Sequence, residues 1–265
     1  MRIGFDHVGA PLGRHKHDTR RKSSPVTTTL RARDIRLAVP RSRSSAEVLR
    51  GCHIDLRGGG LTAVVGPSGS GKSSLLACLS GLDRPTGGIV EINGRDVYRQ
   101  STAERAAMLR SEVGFVFQQY NLVPFLTVDE NIALPFRLDH ARVPRGVVDD
   151  LIASFGLGER RHAPARTLSG GEQQRTALCR ALARRPAIVF ADEPTGALDS
   201  RSTQLVLGTL RRMADDGQMI VMVTHDLDAA ALADSVVVMH DGRTVRTTGR
   251  TTSRALLDLM TEPET

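Results

Sequence analysis

The sequence of 265 residues is long enough for one large domain, or for one domain with an inserted subdomain. Hydrophobic residues make up 40% of it and Trp is absent, so aliphatic side chains must form the core. The longest apolar runs of the C-terminal half have four or five residues, whereas a membrane-spanning helix needs about 20. These runs suit buried parallel strands, and we expect a soluble chain.

The formal net charge of +7 is concentrated near the N-terminus. Residues 1–45 hold eleven of the 36 Lys and Arg but only three of the 29 Asp and Glu, so the remainder is close to neutral. Residues 1–28 show no hydrophobic periodicity and predict a disordered basic arm. A solvated arm is the expectation, with a contact to anionic lipid or to nucleic acid as the alternatives. No nucleic-acid partner is expected for the folded part.

The three cysteines, Cys52, Cys78 and Cys179, have no metal-ligand spacing, and no secretory signal pattern is present. We therefore expect reduced thiols in the core of a cytoplasmic protein.

The N-terminal half predicts strands first and helices later. Strand patterns are LRARDIRLAV, VLRGCHIDL, LTAVV and GIVEING, and a helix pattern, KSSLLACLSGL, ends at Gly81. From about residue 101 to 166, helical patches alternate with loops rich in Pro, and the strand GFVFQ lies among them. This middle part is predicted to be a helical insertion.

The C-terminal half predicts two strand–helix units and a hairpin. The units are AIVFADEP with SRSTQLVLGTLRRMADD, and MIVMVTHD with LDAAALAD. In VVVMHDGRTVR, Asp241-Gly242 is a hairpin turn signal between two strands. Alternating strands and helices predict a parallel α/β sheet.

The segment GPSGSGKS matches the phosphate-binding pattern GxxxxGK[ST] and lies between a predicted strand and a predicted helix. Its glycines let backbone N–H groups converge on a phosphate, Lys72 adds a positive charge, and the Ser73 hydroxyl can ligate Mg²⁺. The expected nucleotide-binding residues are Gly66, Pro67, Ser68, Gly69, Ser70, Gly71, Lys72, Ser73 and Ser74.

The strand of AIVFADEP ends in two adjacent carboxylates. Asp192 is placed to hold a magnesium shell, and Glu193 is placed to polarise a water for attack on a γ-phosphate. Two carboxylates at a buried strand end would be destabilising without a cation, so a purely structural role is disfavoured.

TLSGGEQQR, residues 167–175, predicts a second helix that begins on a phosphate. Ser169 suits the N-cap, and Gly170 and Gly171 allow close approach of the backbone. A chain with one nucleotide cradle thus has two phosphate-binding helix starts.

The chain resembles an ATP-binding cassette (ABC) ATPase from about Leu30 to Arg246. To the motifs described above, the resemblance adds LSGGEQQR as the family's signature, Gln118 in FVFQQYNLVP, GALDS at 196–200 and VTHD at 223–226. The resemblance implies a P-loop NTPase cassette with a mainly parallel core sheet, an N-terminal antiparallel β subdomain and a helical signature subdomain. Its ABC ATPase domain would span residues 29–250, with the helical subdomain at about 119–185 and a C-terminal tail at 251–265.

The resemblance also explains the second helix start. In this family two cassettes pack head to tail, and each ATP lies between the P-loop of one and the signature helix of the other. Ser169, Gly170, Gly171 and Glu172 are therefore expected to contact the ATP held by a second cassette, in what we expect to be a homodimer. A helix N-terminus supplies N–H groups and partial positive charge for that contact.

The remaining roles are carried over from the family by position. The expected catalytic residues are Glu193, His225, Gln118 and Lys72, and the expected magnesium-binding residues are Ser73, Gln118 and Asp192. The cofactors implied are ATP and Mg²⁺. Asp199 is expected to cross the dimer interface.

One position departs from the family. ABC ATPases usually stack adenine on an aromatic residue of the first strand, and the matching position here is close to Val39. No Phe, Tyr or Trp lies between Phe5 and Tyr98. We therefore expect weaker nucleotide binding and poorer discrimination between ATP and GTP, unless another part of the fold donates an aromatic ring.

The segments GLDRPTGG, FQQYNLVPFLTVDENIALP and ADEPTGALDS resemble the branch that serves macrolide exporters, lipoprotein-release complexes and the cell-division ATPase. The branch implies a separate membrane permease and a place at the cytoplasmic face of the membrane. Tyr120–Pro135 is the predicted docking segment, with packing of the insertion as the alternative. A regulatory complex without transport is the first rival function, and a soluble ABC protein acting on DNA or ribosomes is the second.

Overall fold

The computed structural model describes residues 27–41, 44–196 and 198–261. The basic arm predicted for residues 1–28 lies almost entirely outside these ranges. The strands are β1 Thr29–Arg41, β2 Ser44–Arg57, β3 Gly60–Val65, β4 Gly87–Ile92, β5 Arg95–Asp96, β6 Val113–Val116, β7 Ile188–Asp192, β8 Met219–Val223, β9 Ser235–His240 and β10 Arg243–Gly249. The α-helices are α1 Lys72–Ser80, α2 Thr102–Glu112, α3 Val128–Leu138, α4 Arg145–Ser154, α5 Gly170–Leu182, α6 Ser200–Asp215, α7 Leu227–Ala230 and α8 Ser253–Thr261, and 3-10 turns cover Gly158–Arg160 and Ala165–Thr167.

Strands β1, β2, β4 and β5 form a four-stranded antiparallel sheet in the order β2-β1-β4-β5. Leu30, Ala32 and Ile35 of β1 point into a core, and a register shift between Ala32 and Ile35 keeps them on the buried side. This sheet is the antiparallel β subdomain that the resemblance implied.

The second sheet has six strands in the order β10-β9-β3-β8-β7-β6. All neighbours are parallel except β10, which pairs antiparallel with β9 at the edge. Along β7, Ile188 and Phe190 enter one hydrophobic core while Val189 and Ala191 enter the other. Burial on both faces explains why these strands are short runs of continuous apolar residues.

Helix α1 lies between the two sheets, in contact with β1 and β2 on one side and with β7 and β8 on the other. Helices α6, α7 and α8 cover the opposite face of the parallel sheet. The predicted α/β class, with a mainly parallel core sheet and a separate antiparallel sheet, is confirmed. Cys52, Cys78 and Cys179 are free and buried, as predicted.

Helices α3, α4 and α5 pack on one another and form the helical part of the structure. Thr127 caps α3 reciprocally with Glu130. Buried Asn131 fixes the preceding loop, because its amide donates to the carbonyls of Val123, Leu126 and Thr127 at 3.1 Å each.

Two elements differ from the simple patterns. LDAAALAD predicts a helix to Asp234, yet α7 stops at Ala230 because the chain must return to the sheet, where the Asp234 N–H bonds the carbonyl of Leu61 at 2.8 Å. Within the predicted tail, α8 packs against the sheet with Leu256 fully buried. Among the described helices, none has the length and hydropathy needed to cross a membrane.

Candidate active site

Four of the predicted residues follow strands that end at one edge of the parallel sheet. Val64 of β3 and Asp192 of β7 both pair with Val223 of β8, and Val116 of β6 pairs with Ala191. This register brings the carboxyl ends of the four strands level, which is where ligands bind in open α/β sheets. The residues that follow at this edge are Gly66, Gln118, Glu193 and His225.

The phosphate-binding loop needs glycine where it leaves β3. Gly66 has φ 155, and a Cβ there would lie 2.2 Å from the Met239 carbonyl oxygen. Gly71, at φ 93, is the N-cap of α1 and offers no side chain to the first N–H groups of that helix. The loop thus places backbone N–H donors at a helix N-terminus, which is the geometry that binds phosphate.

Lys72 lies back over this loop. Its Nζ donates to the carbonyl oxygens of Gly66 and Pro67, both at 2.9 Å. Burial lowers the pKa of Lys72, although the carboxylates of Glu193 and Asp192 oppose that shift. The ammonium group is therefore held at the loop by neutral acceptors that a phosphate can replace.

Ser73 and Asp192 fit a magnesium site. The Ser73 hydroxyl donates to Oδ1 of Asp192 at 2.9 Å. Burial raises the pKa of Asp192, and neither the Ser73 bond nor the Lys72 charge reverses that shift. No three His, Cys, Asp or Glu side chains cluster as metal ligands in the described part, but Mg²⁺ usually binds one or two carboxylates together with substrate phosphates.

Glu193 and His225 lie side by side just beyond the sheet edge. Oε1 of Glu193 is 2.9 Å from Nδ1 of His225, while Oε2 is buried and has no hydrogen-bond partner among the residues that the structure describes. The Glu193 side chain is 11% exposed and the His225 side chain 73% exposed. The pair therefore joins an inner carboxylate to an outer imidazole.

Gln118 is exposed on a turn in which the Tyr120 N–H bonds the Phe117 carbonyl at 3.1 Å. Tyr120 and Asn121 both have positive φ, 61 and 49. The Arg180 guanidinium of α5 donates to their carbonyl oxygens at 2.9 and 2.6 Å. Arg180 was missed by sequence reasoning, since an Arg near a helix C-terminus gives no signal of what it binds.

The signature residues form the N-terminus of α5. Ser169 is the N-cap, its Oγ accepts from the Glu172 N–H at 3.3 Å, and the Glu172 carboxylate accepts from the Ser169 N–H at 2.8 Å. Arg160 also donates to Glu172 at 3.0 Å. Within residues 27–41, 44–196 and 198–261, no hydrogen bond joins these residues to the phosphate-binding loop.

Asp199 lies beside the signature helix as the N-cap of α6. Its Oδ1 accepts from the Ser202 N–H at 2.8 Å, and the Ser202 hydroxyl accepts from Arg175 of α5 at 3.1 Å. A Cβ on Gly171 would lie 2.7 Å from that hydroxyl, so glycine allows α5 and α6 to meet closely. The signature helix α5 and Asp199 are therefore linked through Ser202 and form one connected surface.

A family model described as "ABC transporter" matches residues 49–196. The chain belongs to the ABC transporter family. The matched range includes Lys72, Gln118, the signature helix, Asp192 and Glu193, and ends before His225.

The relatives of the cassette include macrolide export ATP-binding/permease proteins MacB. The MacB of Marinobacter nauticus is 43% identical over 221 residues, which cover 80% of this chain and 32% of that protein. The MacB of Shigella flexneri is 37% identical over 223 residues, which cover 83% of this chain and 34% of that protein. The chain thus spans about a third of the length of the curated relatives it matches.

Two solved structures of the ATP-binding cassette MJ0796 have the same fold. One, described as a dimeric post-hydrolysis state bound to ADP and Pi, has a TM-score of 0.79 at 31% identity and covers 84% of this chain and 99% of that one. The other, a dimeric bacterial ABC transporter cassette, has a TM-score of 0.78 at 31% identity with the same coverage. The ABC cassette architecture predicted from the motifs is confirmed.

At the predicted adenine position, Val39 lies on β1 opposite Ala46 and is 44% exposed. Its small aliphatic side chain offers no flat ring to a base.

Proposed function

We propose that this ABC cassette is the ATP-hydrolysing motor of a membrane transport or extrusion complex, in which ATP binding closes two cassettes and hydrolysis reopens them. The observation that carries the proposal is the meeting of a phosphate cradle, a Ser–Asp pair and a Glu–His pair at one sheet edge. This combination supplies the positioning and charge that phosphoryl transfer to water requires.

The cradle from Gly66 to Ser74 binds the phosphates through backbone N–H groups. Lys72 exchanges the carbonyls of Gly66 and Pro67 for the β- and γ-phosphates. Ser73, Gln118 and Asp192 would hold Mg²⁺, which when bound would neutralise charge on the phosphate oxygens.

Glu193 orients the attacking water and accepts its proton. One of its oxygens faces His225, and the other has no donor within the part of the chain that the structure describes, so it has lone pairs available for the water. The imidazole directs Nδ1 at Glu193, which leaves Nε2 on its exposed side to contact the γ-phosphate. Each group thus has a separate partner in the reaction.

The signature helix serves the ATP of a second cassette, and the free N–H groups at its start support this role. Gly170 and Gly171 are its first two residues, and their N–H groups have no partner within the helix. The Glu172 carboxylate is turned away toward the Ser169 N–H and Arg160, so it does not repel an anion there. Dimeric structures of similar cassettes support two such cassettes acting together.

A membrane permease is the proposed partner, bound through a docking surface formed by Val123, Phe125 and Arg166. Phe125 is 74% exposed and Val123 37% exposed. The Arg166 guanidinium lies over the Phe125 ring at 5.3 Å. An exposed aromatic ring on a loop that buried Asn131 holds in place suits a preformed contact with a partner. The complex would lie at the cytoplasmic face of the membrane.

The test is co-purification from detergent-extracted membranes of the tagged chain, with identification of bound proteins by mass spectrometry. A permease that is lost with Phe125→Asp but kept with Leu257→Asp, a control on the exposed side of α8, is the expected result. If the recovered partner is a regulator of cell-wall enzymes, the proposed transport role would have to be replaced by a regulatory one. Recovery of soluble partners alone, or of nucleic acid, would overturn the proposal.

A further inference from the structure

The turn that carries Glu193 is strained and needs outside support. Glu193 has φ 47, a left-handed conformation that is strained for a non-glycine residue. Its N–H continues the ladder to the Val223 carbonyl at 3.0 Å, and its carbonyl accepts from the Gly196 N–H at 3.1 Å. Within the described part of the chain, the carboxylate has one polar contact, to His225, so its position depends on the backbone of this turn.

Gln174 of α5 supplies that support. Its side chain is 1% exposed, and Nε2 donates to the carbonyl oxygen of Pro194 at 2.7 Å. The reverse orientation of the amide would set two acceptor oxygens against each other, so the donor must face Pro194. Among the described residues, no other side chain hydrogen-bonds to the backbone of residues 193–196.

We propose that Gln174 is a positioning residue for Glu193, and this inference rests on the proposed role of Glu193 as the residue that orients water. By holding the Pro194 carbonyl, Gln174 fixes the turn and with it the carboxylate. A shift of this carboxylate lowers the rate of the chemical step without removing any contact to the nucleotide.

The same bond ties two sites together. Gln174 follows Ser169 by five residues of α5, about 7.5 Å along the helix axis. The helix that faces the ATP of the second cassette therefore also holds the Glu193 turn of its own cassette. Movement of α5 when the second ATP binds would act directly on Glu193.

The test compares Gln174→Met with Gln218→Met in the full chain. Gln218 is a matched control, because its Nε2 donates to the Pro186 carbonyl at 2.6 Å, at the other end of β7 and away from the nucleotide edge. Methionine keeps the side-chain length and removes the donor. Gln174→Asn, which keeps an amide but shortens its reach, is a second variant in case Gln174→Met folds poorly.

At saturating Mg·ATP we expect kcat to fall about tenfold in Gln174→Met and Gln174→Asn, equivalent to about 1.4 kcal/mol. We expect KM and the thermal midpoint to match those of Gln218→Met. Combined with Glu193→Gln, Gln174→Met should cause no further loss, because the two residues act through one carboxylate.

A kcat equal to that of Gln218→Met, a rise in KM that accounts for the whole effect, or additive losses in the double variant would each overturn the positioning role alone. Hydrolysis by Glu193→Gln near the parent rate would overturn the proposed function and the positioning role together.

Discussion

The Ser73 hydroxyl donates a hydrogen bond of 2.9 Å to Oδ1 of Asp192, and so joins two motifs that are 119 residues apart in the sequence. Ser73 is the second residue of α1, and Asp192 is the last residue of β7. The bond therefore connects the helix of the phosphate cradle to β7, the strand that leads to Glu193. A hydroxyl oxygen and a carboxylate oxygen held side by side in this way are suited to coordinate a hard cation.

Ser73→Ala should raise the Mg²⁺ concentration that gives half-maximal hydrolysis by roughly tenfold, the low end of the effect of losing a metal-site contact. The measurement is a Mg²⁺ titration of ATPase activity at fixed ATP. Ser80→Ala is the matched control, because Ser80 lies at the other end of α1 and its hydroxyl donates to the Ala77 carbonyl of the same helix at 3.1 Å. An unchanged Mg²⁺ requirement in Ser73→Ala would remove Ser73 from the metal site.

Glu193→Gln should lower kcat by about 10²–10⁴, the usual contribution of a general base. The amide keeps the size of the side chain but cannot accept a proton from water, so ATP should stay bound and the closed dimer should accumulate. Turnover assays and light scattering with ATP test both results. Glu159→Gln, an exposed change on the helical part, is the control, and it should hydrolyse ATP and stay in the parent's oligomeric state.

The local patterns of the sequence predicted most of this site, but not what supports it. GPSGSGKS, the end of β7 and the start of α5 are contiguous motifs whose backbone geometry follows from their residues. The bonds from Gln174 to Pro194 and from Arg180 to Tyr120 join distant segments and depend on tertiary packing. A buried amide or guanidinium on an amphipathic helix has no spacing that identifies its acceptor.

Val39→Tyr should tighten ATP binding, because stacking of a base on an aromatic ring contributes roughly 1–3 kcal/mol. Each 1.4 kcal/mol gained corresponds to about a tenfold higher affinity. The exposed position of Val39 on β1 leaves room for a ring. Calorimetric titrations with ATP and with GTP measure the affinity and the selectivity. Val245→Tyr, at a similarly exposed Val on β10, should leave both unchanged. No gain in ATP affinity for Val39→Tyr would show that the base does not reach this strand.

Asp234 links three parts of the cassette, and its loss should appear as a change in the pH dependence of stability. Oδ2 accepts from the Leu61 N–H at 2.9 Å and lies 2.8 Å from Arg211, while Oδ1 accepts from Arg250 at 2.8 Å. Burial raises the pKa of this carboxyl, but these three donors more than offset it and bring the pKa to about 2. The carboxylate is therefore more stable in the folded chain than in the unfolded one.

Because the folded pKa lies below the unfolded value of about 3.9, the stabilisation is complete above that value and is lost as pH falls toward 2. The side chain is 37% exposed, so solvent screening reduces the contribution to about 1–2 kcal/mol. Urea unfolding of Asp234→Asn should show that deficit at pH 7 and a smaller deficit at pH 3. Asp150→Asn, an exposed change on α4, should match the parent at both pH values. A deficit of equal size at pH 7 and pH 3 would mean that Asp234 stabilises the fold through its shape and not through its charge.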